Sequence, residues 1–173
     1  HYGDDPERFI DRLHAYNCGE AYEFELSESG SASPRIPDPS NTGWSIYDLV
    51  SVAIGYSARV TPLQVATFYN AIANDGKMMK PYVVESIEKN GKVIQKFDPV
   101  ILNGSICSKA TADTLTRALK MVTLEGTASK LKNSKCIVAG KTGTSRIHLS
   151  TEERAGSKDA YADINGRKKH QAT

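Results

Sequence analysis

Residues 136 to 145 read Cys-Ile-Val-Ala-Gly-Lys-Thr-Gly-Thr-Ser, so one cation, two glycines and three hydroxyls follow directly on a short apolar run. The chemistry this suits is anion and carbonyl recognition. Lys141 supplies a charge, Thr142, Thr144 and Ser145 supply hydroxyl donors, and an extended backbone supplies N–H groups along one edge. Together these fit a ligand that carries a carboxylate and a polarised carbonyl. Ile137 and Val138 are β-branched and read as a buried strand. Gly140 and Gly143 have no Cβ, so a ligand or a second backbone can approach closely.

Two blander readings compete. A phosphate loop requires a glycine five residues before the glycine of Gly-Lys-Thr, a place held here by Lys135, and a helix starting at the lysine, which Gly143 breaks. An ordinary core strand ending in a glycine turn accounts for the tripeptide if it stands alone.

The elements that must position this stretch come from one domain's worth of sequence. The chain has 173 residues, and its 24% charged and 39% hydrophobic content is ordinary for a globular domain. A net charge of +2, with both signs dispersed, makes no case for nucleic acid. No apolar run approaches the roughly eighteen residues of a membrane span, and no signal peptide opens the chain. Both ends read as cut, since there is no initiator Met and Gln171, Ala172 and Thr173 carry no terminating signal. Cys18, Cys107 and Cys136 show no paired spacing and read as small buried hydrophobes, and His1, His14, His148 and His170 form no ligand pattern, so no metal site is expected.

A helix is expected from Asp5 to about Tyr16, with Asp5 capping, Pro6 at the first position, Phe9, Ile10 and Leu13 as its apolar stripe, and Asn17 and Gly19 ending it. Glu20 to Asn41, rich in Ser, Gly, Pro and acidic residues, reads as a surface loop. Apolar residues gather again in Ile46, Leu49, Val50, Val52 and Ile54, a short helix or turn packed on the core. Thr61, Pro62 and Gln64 make a capping box for the next helix, with Leu63, Ala66, Ile72 and Ala73 toward the core and Asp75-Gly76 as its stop. A hairpin follows, with strands near 82–88 and 92–97 and a type I′ turn at Asn90-Gly91. Ser108 caps a long helix to about Leu124, with Gly126 past its end. Beyond Arg146 the sequence reads as a long exposed loop.

With these landmarks in place, the order Gly55-Tyr56, Val60-Thr61-Pro62-Leu63-Gln64-Val65-Ala66, Tyr69 through Gly76, Pro81, Glu125-Gly126-Thr127-Ala128 and Ala139 through Thr144 closely resembles the transpeptidase domain of class B penicillin-binding proteins. The resemblance runs from about Gly55 to Ser145 and takes in the helix at 5 to 16 as the region just downstream of the family's second motif. The helix opening Val-Thr-Pro-Leu-Gln and the Gly-Thr-Ala turn are closer to the division (septal) type than to the elongation type. The fold implied is α+β, the penicillin-binding protein and serine β-lactamase-like transpeptidase fold, with helices and antiparallel sheet present here in part. It forms one partial domain: helix and loop over 1–54, helices, hairpin and Lys-Thr-Gly strand over 55–145, and a polar loop over 146–173.

The family uses three motifs. Ser-x-x-Lys occurs by letters at 86–89 and 129–132, in a hairpin strand and just before the third motif, neither of which is the place of the family's nucleophile. Ser-x-Asn does not occur. Only Lys-Thr-Gly is present, so no nucleophile is expected in this chain, which should be inactive alone. By the resemblance, Lys141 and Thr144 are the catalytic residues: Lys141 faces the substrate carboxylate and the serine's proton network, and the Thr144 N–H is one oxyanion donor. Thr142, Gly143 and Ser145 then bind substrate.

The activity implied is cross-linking of peptidoglycan stem peptides ending in D-Ala-D-Ala through a serine acyl-enzyme, with β-lactams as acylating inhibitors and no metal or organic cofactor. The resemblance also implies a periplasmic domain of an inner-membrane-anchored bacterial protein, with divisome proteins as partners. An unpaired strand edge at 136 to 144 would favour self-association. The alternatives are a serine β-lactamase or D,D-carboxypeptidase, which shares the third motif, or, from another class, a non-catalytic binding module or phosphate-loop protein.

Overall fold

The structure, a computed structural model, describes residues 2–23, 34–143 and the short pairing of 145–146 with 170–171, the last four by their backbone alone. The chain divides into two compact units, His1–Thr116 and Arg117–Thr173.

In the first unit, α1 (Pro6–Ala15) begins as its cap predicts. The Asp5 carboxylate accepts the Arg8 N–H at 3.1 Å with Pro6 in the first turn, and Asn17 at φ 58 ends the helix in the left-handed region. α2 (Ile46–Ala53) carries a capping box that the sequence reading did not identify, in which Asp48 accepts both the N–H and the hydroxyl of Ser45 at 2.8 Å. Those bonds hold the Asp48 carboxyl below the usual aspartate range. Leu49 and Val52 are buried, whereas Ile46, Val50 and Ile54, also expected in the core, are more than half exposed, because an eight-residue helix turns only one face inward.

α3 (Pro62–Ala73) has the expected Thr61–Gln64 box, with the Thr61 N–H on the Gln64 side-chain oxygen at 2.7 Å and the Gln64 N–H on the Thr61 hydroxyl at 3.2 Å. Its buried face differs from expectation. Ile72 is buried, but Leu63, Ala66 and Ala73 are exposed, and Gln64, Thr67 and Ala71 take the inward positions. Two polar residues can sit there because their hydrogen bonds are satisfied: Thr67 donates to Leu63 O at 2.8 Å, and Gln64 donates to three backbone carbonyls described below.

After α3 the chain turns at Asp75 (φ 54) and Gly76 (φ 89). A Cβ on Gly76 would lie 2.3 Å from the Cys107 carbonyl oxygen, while the Gly76 carbonyl accepts the Ile106 N–H, so the glycine is required by close backbone approach. β1 (Met78–Met79) pairs antiparallel with β4 (Ile101–Asn103), two strands too short to announce themselves in sequence, and Met78 is wholly buried there. Between them lies the predicted hairpin, β2 (Ser86–Lys89) with β3 (Lys92–Lys96), turning at Asn90 (φ 53) and Gly91 (φ 72) as a type I′ turn demands. The expected first strand is shorter than anticipated, beginning at Ser86 rather than Tyr82.

α4 (Lys109–Leu124) is capped by Ser108, whose hydroxyl accepts the Thr111 N–H at 3.2 Å. In the second unit its last two turns lead to a 3₁₀ turn (Ser129–Leu131), then through turns and bends over 132–136 to a stretch in neither helix nor strand over 137–143, and to β5 (Ser145–Arg146), which pairs antiparallel with β6 (His170–Gln171). Two expectations are corrected here. The reading of Ile137 and Val138 as a buried strand fails, since no strand spans 136–143 and Ile137 is 83% exposed. The segment is held by α4 instead of by a sheet, and the self-association argued from a strand edge at 136–144 loses its basis over 136–143, Thr144 lying outside the described residues. Secondly, the exposed loop expected beyond Arg146 lies outside the described residues over 147–169, and His170–Gln171 at its far end form a strand, β6, paired with β5. Cys136 is exposed, against the expectation of burial, while Cys18 and Cys107 are half-buried.

No helix among the described residues is long and apolar enough to cross a membrane, and no group of three or more potential metal ligands is found among them.

Candidate functional site

The end of α4 builds the platform for Lys-Thr-Gly. Its last carbonyls are closed by a tight turn: Glu125 N and Gly126 N both donate to Met121 O at 2.9 and 3.0 Å, and Ala128 N donates to Val122 O at 3.1 Å. A Cβ on Gly126 would stand 2.9 Å from both the Cα and the carbonyl oxygen of Val122, so only glycine lets the turn wrap this closely.

Two bonds then fasten the segment that follows to the helix. The Gly140 N–H donates to Leu119 O at 3.1 Å, and the Thr123 hydroxyl reaches Val138 O at 2.6 Å. Lys120 O lies 2.9 Å from the same hydroxyl, which has one proton to give, and the shorter contact fixes its use between elements. Thr123 is 3% exposed, so this bond is shielded from water. A cavity of about 180 Å³ runs beside the segment, lined by Thr123, Leu124 and Leu131 on one side and Cys136, Ile137 and Val138 on the other; it ends upstream of Lys141.

Held from one side in this way, residues 141–143 present their polar groups outward. Lys141 is exposed, its ammonium donating to Thr142 O. Thr142 is exposed and its hydroxyl meets that of Thr127 at 3.0 Å. Gly143 is half-exposed, and a Cβ on Gly140 would meet open space. Thr144, expected to supply an oxyanion donor, lies outside the described residues, as does the side chain of Ser145, whose backbone opposes Gln171 in β5–β6. The structure therefore brings Lys141, Thr142 and Gly143 together on one exposed stretch. It also adds Thr123 and Thr127, which the sequence reading did not place in the site; the Gly-Thr-Ala triplet was visible, but not the direction in which its hydroxyl points.

Neither letter match to Ser-x-x-Lys makes a reactive pair. Ser86 and Lys89 are three apart in a strand and point to opposite faces. Ser129 and Lys132 lie in and just after the 3₁₀ turn, both exposed to water. No helix begins at Lys141, as a phosphate loop would require.

Far from this segment in sequence, Gln64 gathers the exit of α1. Its side-chain nitrogen shares its two hydrogens among three carbonyls, Asn17 O and Cys18 O at 3.1 Å and Glu20 O at 2.8 Å, with the residue 3% exposed. Asn103 adds a bond to Ala15 O at 3.0 Å. Cys18, partly buried in this clasp, has its thiol pushed up by desolvation.

These features meet in one family. The model of the penicillin binding protein transpeptidase domain matches residues 5–164, and the chain belongs to that family, as the class B motifs led us to expect. Among its relatives, penicillin-binding protein H of Bacillus subtilis is 36% identical over 130 residues, covering 71% of this chain and 18% of that protein. Penicillin-binding protein PbpB of Mycolicibacterium smegmatis is 29% identical over 150 residues, covering 82% and 22%. The chain thus spans about one fifth of the length of these relatives. Among solved structures, penicillin binding protein 3 of Mycobacterium tuberculosis in its apo form superposes with a TM-score of 0.69 at 26% identity, over 83% of this chain and 33% of that one. Penicillin-binding protein 2B of Streptococcus pneumoniae shares the fold with a TM-score of 0.72 at 23% identity, over 86% and 25%. The α+β transpeptidase fold expected from the sequence is the fold found.

Proposed function

We propose that this chain is the Lys-Thr-Gly part of a peptidoglycan D,D-transpeptidase. The observation that carries the reading is an exposed Lys141-Thr142-Gly143, fastened from behind to α4, in a chain of the transpeptidase family. In the reaction, a serine supplied from outside these residues attacks the penultimate D-alanine carbonyl, the terminal D-alanine leaves with a proton, and an acceptor amine displaces the serine from the acyl-enzyme. Lys141 holds positive charge toward the substrate carboxylate and the serine's proton network, and the Thr142 hydroxyl donates to that carboxylate. Gly143 leaves room for the acyl chain, the Thr144 N–H is one oxyanion donor, and Ser145 lines the same groove. β-Lactams acylate the same serine; that the M. tuberculosis penicillin binding protein 3 was also solved complexed with ampicillin supports β-lactam binding. The acyl transfer calls for no metal or organic cofactor. The septal type, divisome partners and a periplasmic domain on a membrane-anchored protein complete the reading, supported by the Val-Thr-Pro-Leu-Gln helix and by the bacterial relatives.

The test is a chimera in which this chain replaces the corresponding stretch of B. subtilis penicillin-binding protein H. It should be labelled by fluorescent penicillin, and Lys141→Met should lower the labelling rate by about a hundredfold or more. The chain alone should form no adduct. A folded chimera that stays unlabelled, or labelling indifferent to Lys141, would overturn the reading.

A further inference from the structure

We infer that Thr127, in the Gly-Thr-Ala turn after α4, is a positioning residue for substrate carboxylate recognition, acting through the hydroxyl of Thr142. This rests on the functional reading above and extends it to a residue outside the three motifs. The turn is anchored to the same helix end as the segment it faces: Gly126 fits only without a Cβ against Val122, Ala128 N is bonded to Val122 O, and one turn earlier Thr123 holds Val138. Thr127 and Thr142 are therefore two points on one scaffold, and their hydroxyl oxygens stand 3.0 Å apart.

A hydroxyl has one proton and two acceptor lone pairs. If Thr142 is to donate to a carboxylate, its oxygen can serve Thr127 only as acceptor, so the pair is ordered in one direction, Thr127 O–H to Thr142 Oγ1 and Thr142 O–H to the anion. Donation into Thr142 fixes its χ1 and polarises its own O–H, strengthening the bond it offers. Without Thr127 the exposed Thr142 side chain is free to rotate, and the donor must be ordered anew for each substrate. Thr127 itself touches no reacting atom.

Thr127→Val keeps the shape and removes the hydroxyl, and Thr127→Ser keeps the hydroxyl. In the penicillin-binding protein H chimera, Val should slow acylation by benzylpenicillin about tenfold, while acylation by its methyl ester, which lacks the anion, should change less than about twofold; Ser should stay within about twofold on both. A merely structural role would slow acid and ester alike. In the chain itself, three-bond couplings should show Thr142 in a single χ1 rotamer, averaged in the Val variant and restored in Ser. Equal acylation of Val and parent, parallel loss on acid and ester, or a Thr142 rotamer indifferent to Thr127 would each overturn the proposal. If the parent chimera is folded yet unacylated, the functional reading falls, and the rotamer measurement still decides the coupling between the two threonines.

Discussion

Gln64 and Lys141 are both polar residues at the hinge of a motif, yet the molecule treats them in opposite ways. Gln64 is sunk to 3% exposure and its amide is wholly committed: the oxygen to Thr61 N, the nitrogen to the carbonyls of Asn17, Cys18 and Glu20. Lys141 is exposed and gives one bond, to Thr142 O, among the described residues, so an ammonium with three donors keeps capacity for something that arrives from solvent. The first arrangement is architecture and the second is a site. What separates them is where the hydrogen-bonding capacity is directed, since both side chains are long, polar and set in motifs of similar length.

The sharpest way to break this contrast is Gln64→Glu. A carboxylate would then face three carbonyl oxygens in a buried place, and the first unit should lose about 4 kcal/mol, read by chemical denaturation. A loss under about 1 kcal/mol would show that the clasp is ornamental. Thr123→Val removes the hydroxyl that ties the Lys-Thr-Gly segment to α4 and should cost about 1.5 kcal/mol, appearing as faster hydrogen exchange at the Gly140 amide with the first unit's amides unchanged. The smallest effect is on thiol labelling. Exposed Cys136 should react with a disulfide reagent well before Cys18, whose raised pKa keeps it protonated and so unreactive as pH rises through the ordinary thiol range. Gln64→Ala should open the clasp and speed Cys18 labelling about tenfold while leaving Cys136 as it was.

Features governed by neighbours in sequence were readable in advance. Asp5 with Pro6, Thr61 with Pro62 and Gln64, and Asn90-Gly91 each act within four residues, and the structure places a cap, a capping box and a type I′ turn at those positions. The Lys-Thr-Gly motif was legible because its letters, order and company identify a family. The second use of Gln64 was not, since its partners lie 44 to 47 residues away and nothing in a capping box discloses them. The β-branched pair Ile137-Val138 misled for a related reason: propensity describes a residue that suits a sheet, but here the segment rests on a helix end, and Ile137 faces water. Strands of two and three residues, β1, β4, β5 and β6, exist through their pairing and leave too little pattern to count.

The hairpin of β2 and β3 has a practical meaning. Val93 and Ile94, at the register irregularity of β3, are both more than half exposed, and the hairpin's Asn90-Gly91 tip turns with both residues at positive φ. It is thus a natural doorway for engineering: a peptide tag or fluorophore spliced in there would ride on a self-sufficient arm, reporting on the rest of the molecule without asking the clasp or the Lys-Thr-Gly segment to rearrange.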